Sequence, residues 1–190
     1  MNAGEKVRLF VAARIPDDRL ELLDAALEPL RAKLINARWV PVENQHLTLK
    51  FLDWSPVDLL EGVATTCAMV GAGRPGGQLA LTDLGAFPST TRIRVLWVGL
   101  DDPAGVLGGL AADLERAFEP LGFPSEGRPY TPHLTVARFK LPVPMKSGFP
   151  SLTVSIAPFE LDEITLFRSH LSPKGARYEA IGAFPLRSGT

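Results

Sequence analysis

Apolar residues in this chain form short alternating runs and longer runs of helical period, and the two kinds follow one another in a repeated order. Residues 7–13 alternate and predict a strand; Ile15-Pro16-Asp17-Asp18 then supplies the acidic start of a helix. Leu20, Leu23, Leu27, Leu30 and Leu34 recur at three- and four-residue intervals and lay one apolar stripe along that helix. Pro29 falls inside the stripe and is expected to kink or shorten it. A turn at residues 41–44 leads into a strand over residues 45–52. Residues 56–70 read as helix, and residues 78–87 as a strand. Further strands are predicted at 93–100, 132–139, 159–167 and 176–184, with a helix over 105–121. The Pro- and Gly-containing stretches 71–77 and 141–150 read as loops.

The order of these elements repeats. A shift of 87 positions, the distance from His46 to His133, lays Leu9 and Val11 on Leu96 and Val98, and Pro16 on Pro103. The leucine stripe falls on Leu107, Leu110, Leu114, Ala117 and Leu121, and His46-Leu47-Thr48 falls on His133-Leu134-Thr135. An ordered series of matches at one spacing points to an internal duplication. The expected fold is α+β and bilobal, with two largely antiparallel sheets backed by helices. It is one domain over residues 1–190, with pseudo-repeats starting near residues 7 and 94, and its site lies in the central cleft.

Side chains two apart on a strand share a face, so His46 and Thr48 point one way and the flanking leucines the other. The same parity sets His133 and Thr135 against Leu134 and Val136. One such pair suggests only a polar strand face with a satisfied histidine. Two pairs at matched positions, using two of the three histidines in the chain, suggest a two-sided catalytic site. Facing imidazoles can serve as general base and general acid, and two threonine hydroxyls can donate to the oxygens of a phosphodiester. His170 lies outside both motifs and is expected to be an exposed turn histidine. By parity Lys50 shares the His46 face and is a candidate for holding phosphate, while Arg138 falls opposite His133 unless a bulge redirects it.

Composition narrows the chemistry. Two histidines are too few for a metal site and no carboxylate shares their strand face, so no metal is expected. Neither a Gly-x-Ser-x-Gly elbow nor a Gly-rich phosphate loop is present, and no cofactor is expected. The single cysteine, Cys67, excludes an internal disulfide and reads as a small buried residue. Net charge −1 and a pI near 6.3 argue against a long electrostatic grip on nucleic acid, not against a nucleotide or a short RNA end. The first residues lack the apolar run of a secretory leader and no stretch approaches a membrane span, so a cytoplasmic protein with no membrane contact is expected. It is also expected to be a monomer.

The paired motifs resemble those of the 2H phosphoesterase superfamily, within it the RNA 2′,3′-cyclic phosphodiesterases, also called 2′-5′ RNA ligases. The resemblance runs through Arg8-Leu9-Phe10-Val11-Ala12, Trp39-Val40, His46-Leu47-Thr48-Leu49-Lys50-Phe51-Leu52 and Gly85-Ala86-Phe87-Pro88. It continues through Arg94-Val95-Leu96-Trp97, Pro132-His133-Leu134-Thr135-Val136-Ala137-Arg138 and Leu166-Phe167-Arg168-Ser169. It implies hydrolysis of a 2′,3′-cyclic phosphate on an RNA end to a 2′-phosphomonoester without metal, with 2′-5′ ligation as a related reaction. It also implies His46 as acid, His133 as base, and Arg138 near the phosphate. Asp53 departs from the family, which often has glycine there. Two other readings stay open: a phosphodiesterase acting on a small cyclic nucleotide, and a non-catalytic module that binds RNA ends.

Overall fold

A computed structural model describes residues 4–145, 148–152, 155–173 and 175–188. Its strands are β1 (Lys6–Ala13), β2 (Arg38–Trp39), β3 (Leu47–Pro56), β4 (Gly77–Ser89), β5 (Arg92–Asp101), β6 (His133–Pro144), β7 (Phe159–Leu161), β8 (Glu163–Ser172) and β9 (Gly175–Pro185). The helices are α1 (Asp17–Lys33), α2 (Leu60–Gly73) and α3 (Val106–Phe118). The fold is α+β: one antiparallel sheet has the order β3-β1-β8-β9 and the other β2-β6-β5-β4-β7.

The duplication is visible in those orders, but the lobes are not simply the two sequence halves. The 87-position shift carries β1 onto β5 and β3 onto β6, so β3-β1 in one sheet corresponds to β6-β5 in the other. The same shift lays Leu79 of β4 on Leu166 of β8. Yet β4, which follows the first unit in the chain, pairs with β5 of the second, while β8 pairs with β1 of the first. The first unit therefore gives β4 to the sheet of β5 and β6, and the second gives β8 to the sheet of β1 and β3. A contiguous set of buried apolar side chains draws on both sheets and all three helices.

The helix stripes fold as their periodicity predicts. Leu20, Leu23, Leu27 and Leu30 are buried on α1, and Leu107, Leu110, Leu114 and Phe118 on α3. Asp102 caps α3, its carboxylate accepting from the backbone N–H groups of Val106 and Leu107 at 2.8 Å each. Pro29 does not shorten α1, which runs on to Lys33. Ala25, whose carbonyl Pro29 leaves without its usual partner, lies on the exposed face with it, where water can replace the lost bond.

Other boundaries move. The expected loop 71–77 is largely helix and strand, because α2 runs to Gly73. Its glycine serves packing: a Cβ on Gly71 would stand 2.8 Å from the carbonyl of Pro185 at the end of β9. The expected strand 159–167 splits at Asp162 into β7 and β8, which belong to different sheets. The expected loop 141–150 is strand up to Pro144, and part of it lies outside the described residues. Cys67 is fully buried, and burial pushes its thiol up to about 12.

Candidate active site

Both histidines sit where a strand begins, and each is oriented by the backbone just before it. His46 Nδ1 lies 2.8 Å from the carbonyl of Asn44, and His133 Nδ1 lies 2.7 Å from that of Thr131. A carbonyl only accepts, so Nδ1 carries the proton in both rings and Nε2 is left for the cleft. Asn44 and Thr131 are related by the same 87 positions as the histidines. Asn44 is tied down by a 3.0 Å bond from its side chain to the Ala176 carbonyl, and the Tyr130 hydroxyl donates to the Thr48 carbonyl at 3.1 Å. The loop before the second motif is thus anchored to the strand of the first.

The two motifs meet. His46, Thr48, His133, Thr135 and Arg138 line one small cavity of about 70 Å³ between the sheets, with Arg8 and Tyr178 at its wall. Aromatic rings pack around each imidazole. Phe10 stands 4.7 Å from His46 between centroids and Tyr178 stands edge-on to it at 5.0 Å; Phe87 stands edge-on to His133 at 5.1 Å. Trp97 reaches to within 6.1 Å of His133 by packing over Gly85, where a Cβ would meet the indole at 2.1 Å. Burial is the main reason the pKa of His46 falls to about 4, with the Arg138 charge and His133 adding to it against the Asn44 carbonyl. His133 is also lowered, first by burial and then by Arg138, against the carbonyl of Thr131. Both rings are therefore neutral at pH 7 in the free protein.

A bulge in each motif strand decides which further residues enter the cleft. In β3, Ala12 pairs with Thr48 and Val11 with Lys50, so Leu49 is an extra residue. In β6, Trp97 pairs with Thr135 and Leu96 with Ala137, so Val136 is the extra residue, and Val136 is Leu49 shifted by 87. Past the bulge the alternation reverses. Arg138 turns into the cleft, as a bulge was required to do, and it has no carboxylate partner among the described residues. Lys50 turns away from it. It is 2 % exposed, its Nζ 2.7 Å from Glu115 on α3 and 2.7 Å from the Pro124 carbonyl, which corrects its expected place on the His46 face.

Phe51, Arg8, Phe10 and Tyr178 were not anticipated as site residues. Phe51 is Arg138 shifted by 87, so the repeat itself held that signal once the bulge is known. Asp53 adopts a left-handed φ of 51° beside a second irregularity in the β1–β3 pairing, a conformation glycine takes without cost, and its carboxylate holds Arg8 Nε at 2.9 Å. His170 is on β8 rather than in a turn, paired at 2.6 Å with Glu179. Among the described residues, no group of three His, Cys, Asp or Glu side chains is arranged to hold a metal, and no helix is long and apolar enough to cross a membrane.

Residues 13–173 match the family model described as the 2′-5′ RNA ligase superfamily. The chain is 31 % identical over 179 residues to an RNA 2′,3′-cyclic phosphodiesterase of Methanocaldococcus jannaschii, covering 92 % of this chain and 98 % of that one. An enzyme of the same name from Geobacillus stearothermophilus is also 31 % identical over 179 residues; the match takes in 93 % of this chain but only 56 % of that relative's length. Among solved structures, TT0787 of Thermus thermophilus superposes with a TM-score of 0.79 at 28 % identity, covering 96 % of this chain and 100 % of that one. Escherichia coli LigT complexed with 3′-AMP gives 0.78 at 26 % identity, covering 96 % and 99 %.

Proposed function

This chain belongs to the 2′-5′ RNA ligase superfamily, and from that premise we propose that it hydrolyses 2′,3′-cyclic phosphate ends of RNA to 2′-phosphomonoesters. The observation that carries the reading is the convergence of both His-x-Thr pairs on one phosphate-sized cavity, with each Nδ1 bound to a carbonyl and each Nε2 left available. The family relatives named RNA 2′,3′-cyclic phosphodiesterase, and the 3′-AMP complex of LigT, support the substrate class.

The chemistry follows from those positions. Water attacks phosphorus in line with the P–O3′ bond while one Nε2 takes its proton. As that bond breaks, the opposite Nε2–H protonates O3′, leaving a free 3′-hydroxyl and the phosphate on O2′. Thr48 and Thr135 hydroxyls donate to the non-bridging oxygens, where charge increases, and Arg138 offsets that charge. The resemblance gives His46 the acid role and His133 the base role. His46 must then gain its proton as the phosphodiester anion arrives, because burial keeps the free imidazole neutral. A 5′-hydroxyl in the place of water yields a 2′-5′ linkage by the same displacement, which accounts for ligation. One chain supplies both halves of the site, so a monomer suffices.

Incubating the protein and a cyclic-phosphate-ended RNA with EDTA tests the reading. The expected product carries a 2′-phosphate and a 3′-hydroxyl, formed at a rate unaffected by the chelator. A 3′-phosphate product, or activity lost with EDTA and restored by a divalent ion, contradicts it.

A further inference from the structure

The catalytic cavity opens into a much larger groove that the hydrolysis step does not use. It has a volume of about 800 Å³, and it shares Thr48, Phe51 and His133 with the cavity. That volume lies toward the top of the ~300–1,000 Å³ range of small-molecule sites, far more than a phosphate needs. One part of its wall is aromatic: Phe51, 47 % exposed, comes from the first sheet and Phe87 from the second. Another part is cationic, with Arg94 and Arg128 both exposed and neither paired with a carboxylate among the described residues. A chain of net charge −1 thus keeps two unneutralised guanidinium groups beside the same groove.

The backbone explains why Arg94 lines a groove that alternation would deny it. Phe87 pairs with Val95 and Pro88 with Ile93, so Arg94 is an extra residue at an irregularity in β5. Arg128 comes from the loop between α3 and β6, which Tyr130 fastens to Thr48. Glu126, from that loop, also lines the groove; its carboxylate suits a hydroxyl or amino donor, not a second phosphate.

We propose that this groove binds the nucleoside carrying the cyclic phosphate and, through Arg94 and Arg128, the phosphodiester on its 5′ side. The terminal base stacks against Phe51 and Phe87, since every base offers a π-face to an aromatic platform. The guanidinium groups then meet the next phosphate with charge-assisted hydrogen bonds. Arg94 and Arg128 are specificity residues: they make the chain prefer an oligonucleotide end to a cyclic mononucleotide. This rests on the cyclic-phosphodiesterase reading above and goes further by giving the substrate a minimum length of two nucleotides.

The test compares kcat/KM for 2′,3′-cyclic AMP with that for the dinucleotide ApA ending in a 2′,3′-cyclic phosphate. The wild-type protein is expected to favour the dinucleotide by about 10- to 100-fold, the scale of one or two hydrogen bonds to a charged group. Arg94→Ala with Arg128→Ala should reduce that preference at least tenfold and flatten the salt dependence on the dinucleotide. Lys replacements at both positions should restore part of the preference, a result that lost folding would not give. Equal wild-type rates on the two substrates, or an unchanged preference in the double variant, overturn the subsite while leaving the hydrolase reading intact. Wild-type inactivity on both substrates overturns both.

Discussion

β3 and β6 carry the same device, a His-x-Thr pair followed by a one-residue bulge, yet they deliver different groups to the cleft. After the bulge at Leu49, β3 presents Phe51; after the bulge at Val136, β6 presents Arg138. On the opposite face the positions are Lys50, ion-paired beneath α3, and Ala137, fully buried. The duplicated backbone therefore provides a symmetric frame of two imidazoles and two hydroxyls. The side chains after the bulge break that symmetry, setting a cation on one wall and an aromatic surface on the other. A symmetric frame suits a displacement with one histidine on each side of phosphorus. Its asymmetric lining suits a substrate with a charged end and an aromatic base.

Leaving the two histidines aside, the largest effect that can break this comparison is on stability rather than rate. Lys50→Ala strands the Glu115 carboxylate and should cost roughly 3 kcal/mol, the lower end for a broken buried pair because Glu115 remains 24 % exposed. Denaturant unfolding measures it, and kcat per folded molecule should stay within about twofold of wild type. A rate loss without a stability loss would return Lys50 to the phosphate. Next, Thr48→Ala and Thr135→Ala should each lower kcat by about 10²-fold, as for one lost oxyanion donor. Steady-state kinetics should find the two losses similar; a tenfold difference would show that the frame is asymmetric as well as its lining.

The pH dependence sharpens the contrast between the two histidines. Burial lowers both imidazoles below their ordinary value, His46 to about 4, so the pair takes up its catalytic proton on the acid side of neutrality. kcat/KM should then peak on the acid side of neutrality, fall as pH rises toward neutral, and fall again below about pH 4. An optimum of kcat/KM above pH 7.5 would mean that burial does not set the titration of the pair. The smallest effect is at Asp53. Its left-handed backbone should accept Asp53→Gly within about 0.5 kcal/mol, whereas Asp53→Val should cost about 1–2 kcal/mol in thermal unfolding.

What the sequence held back follows from the same bulges. Period and duplication are local signals, so the helix stripes, most strands and the two His-x-Thr pairs could be read directly from the residues. Parity holds only while a strand is regular. It placed Lys50 in the cleft, and Arg138 could enter only through a bulge, whose position at Leu49 and Val136 no side-chain pattern marks. The exchange of β4 and β8 between sheets was equally hidden, because pairing partners distant in sequence leave no local trace. Neither could Asp53 be seen as a left-handed residue, although a position that often holds glycine in the resembling family was the hint.

The central claim is that one histidine from each half acts on the same cyclic phosphate, and single-turnover hydrolysis of a cyclic-phosphate-ended RNA by His46→Ala and His133→Ala tests it most directly. Each variant should keep its fold by circular dichroism and lose roughly 10²–10⁴-fold in rate, the range for removing a general acid or base. Wild-type turnover by either variant would contradict the two-sided mechanism.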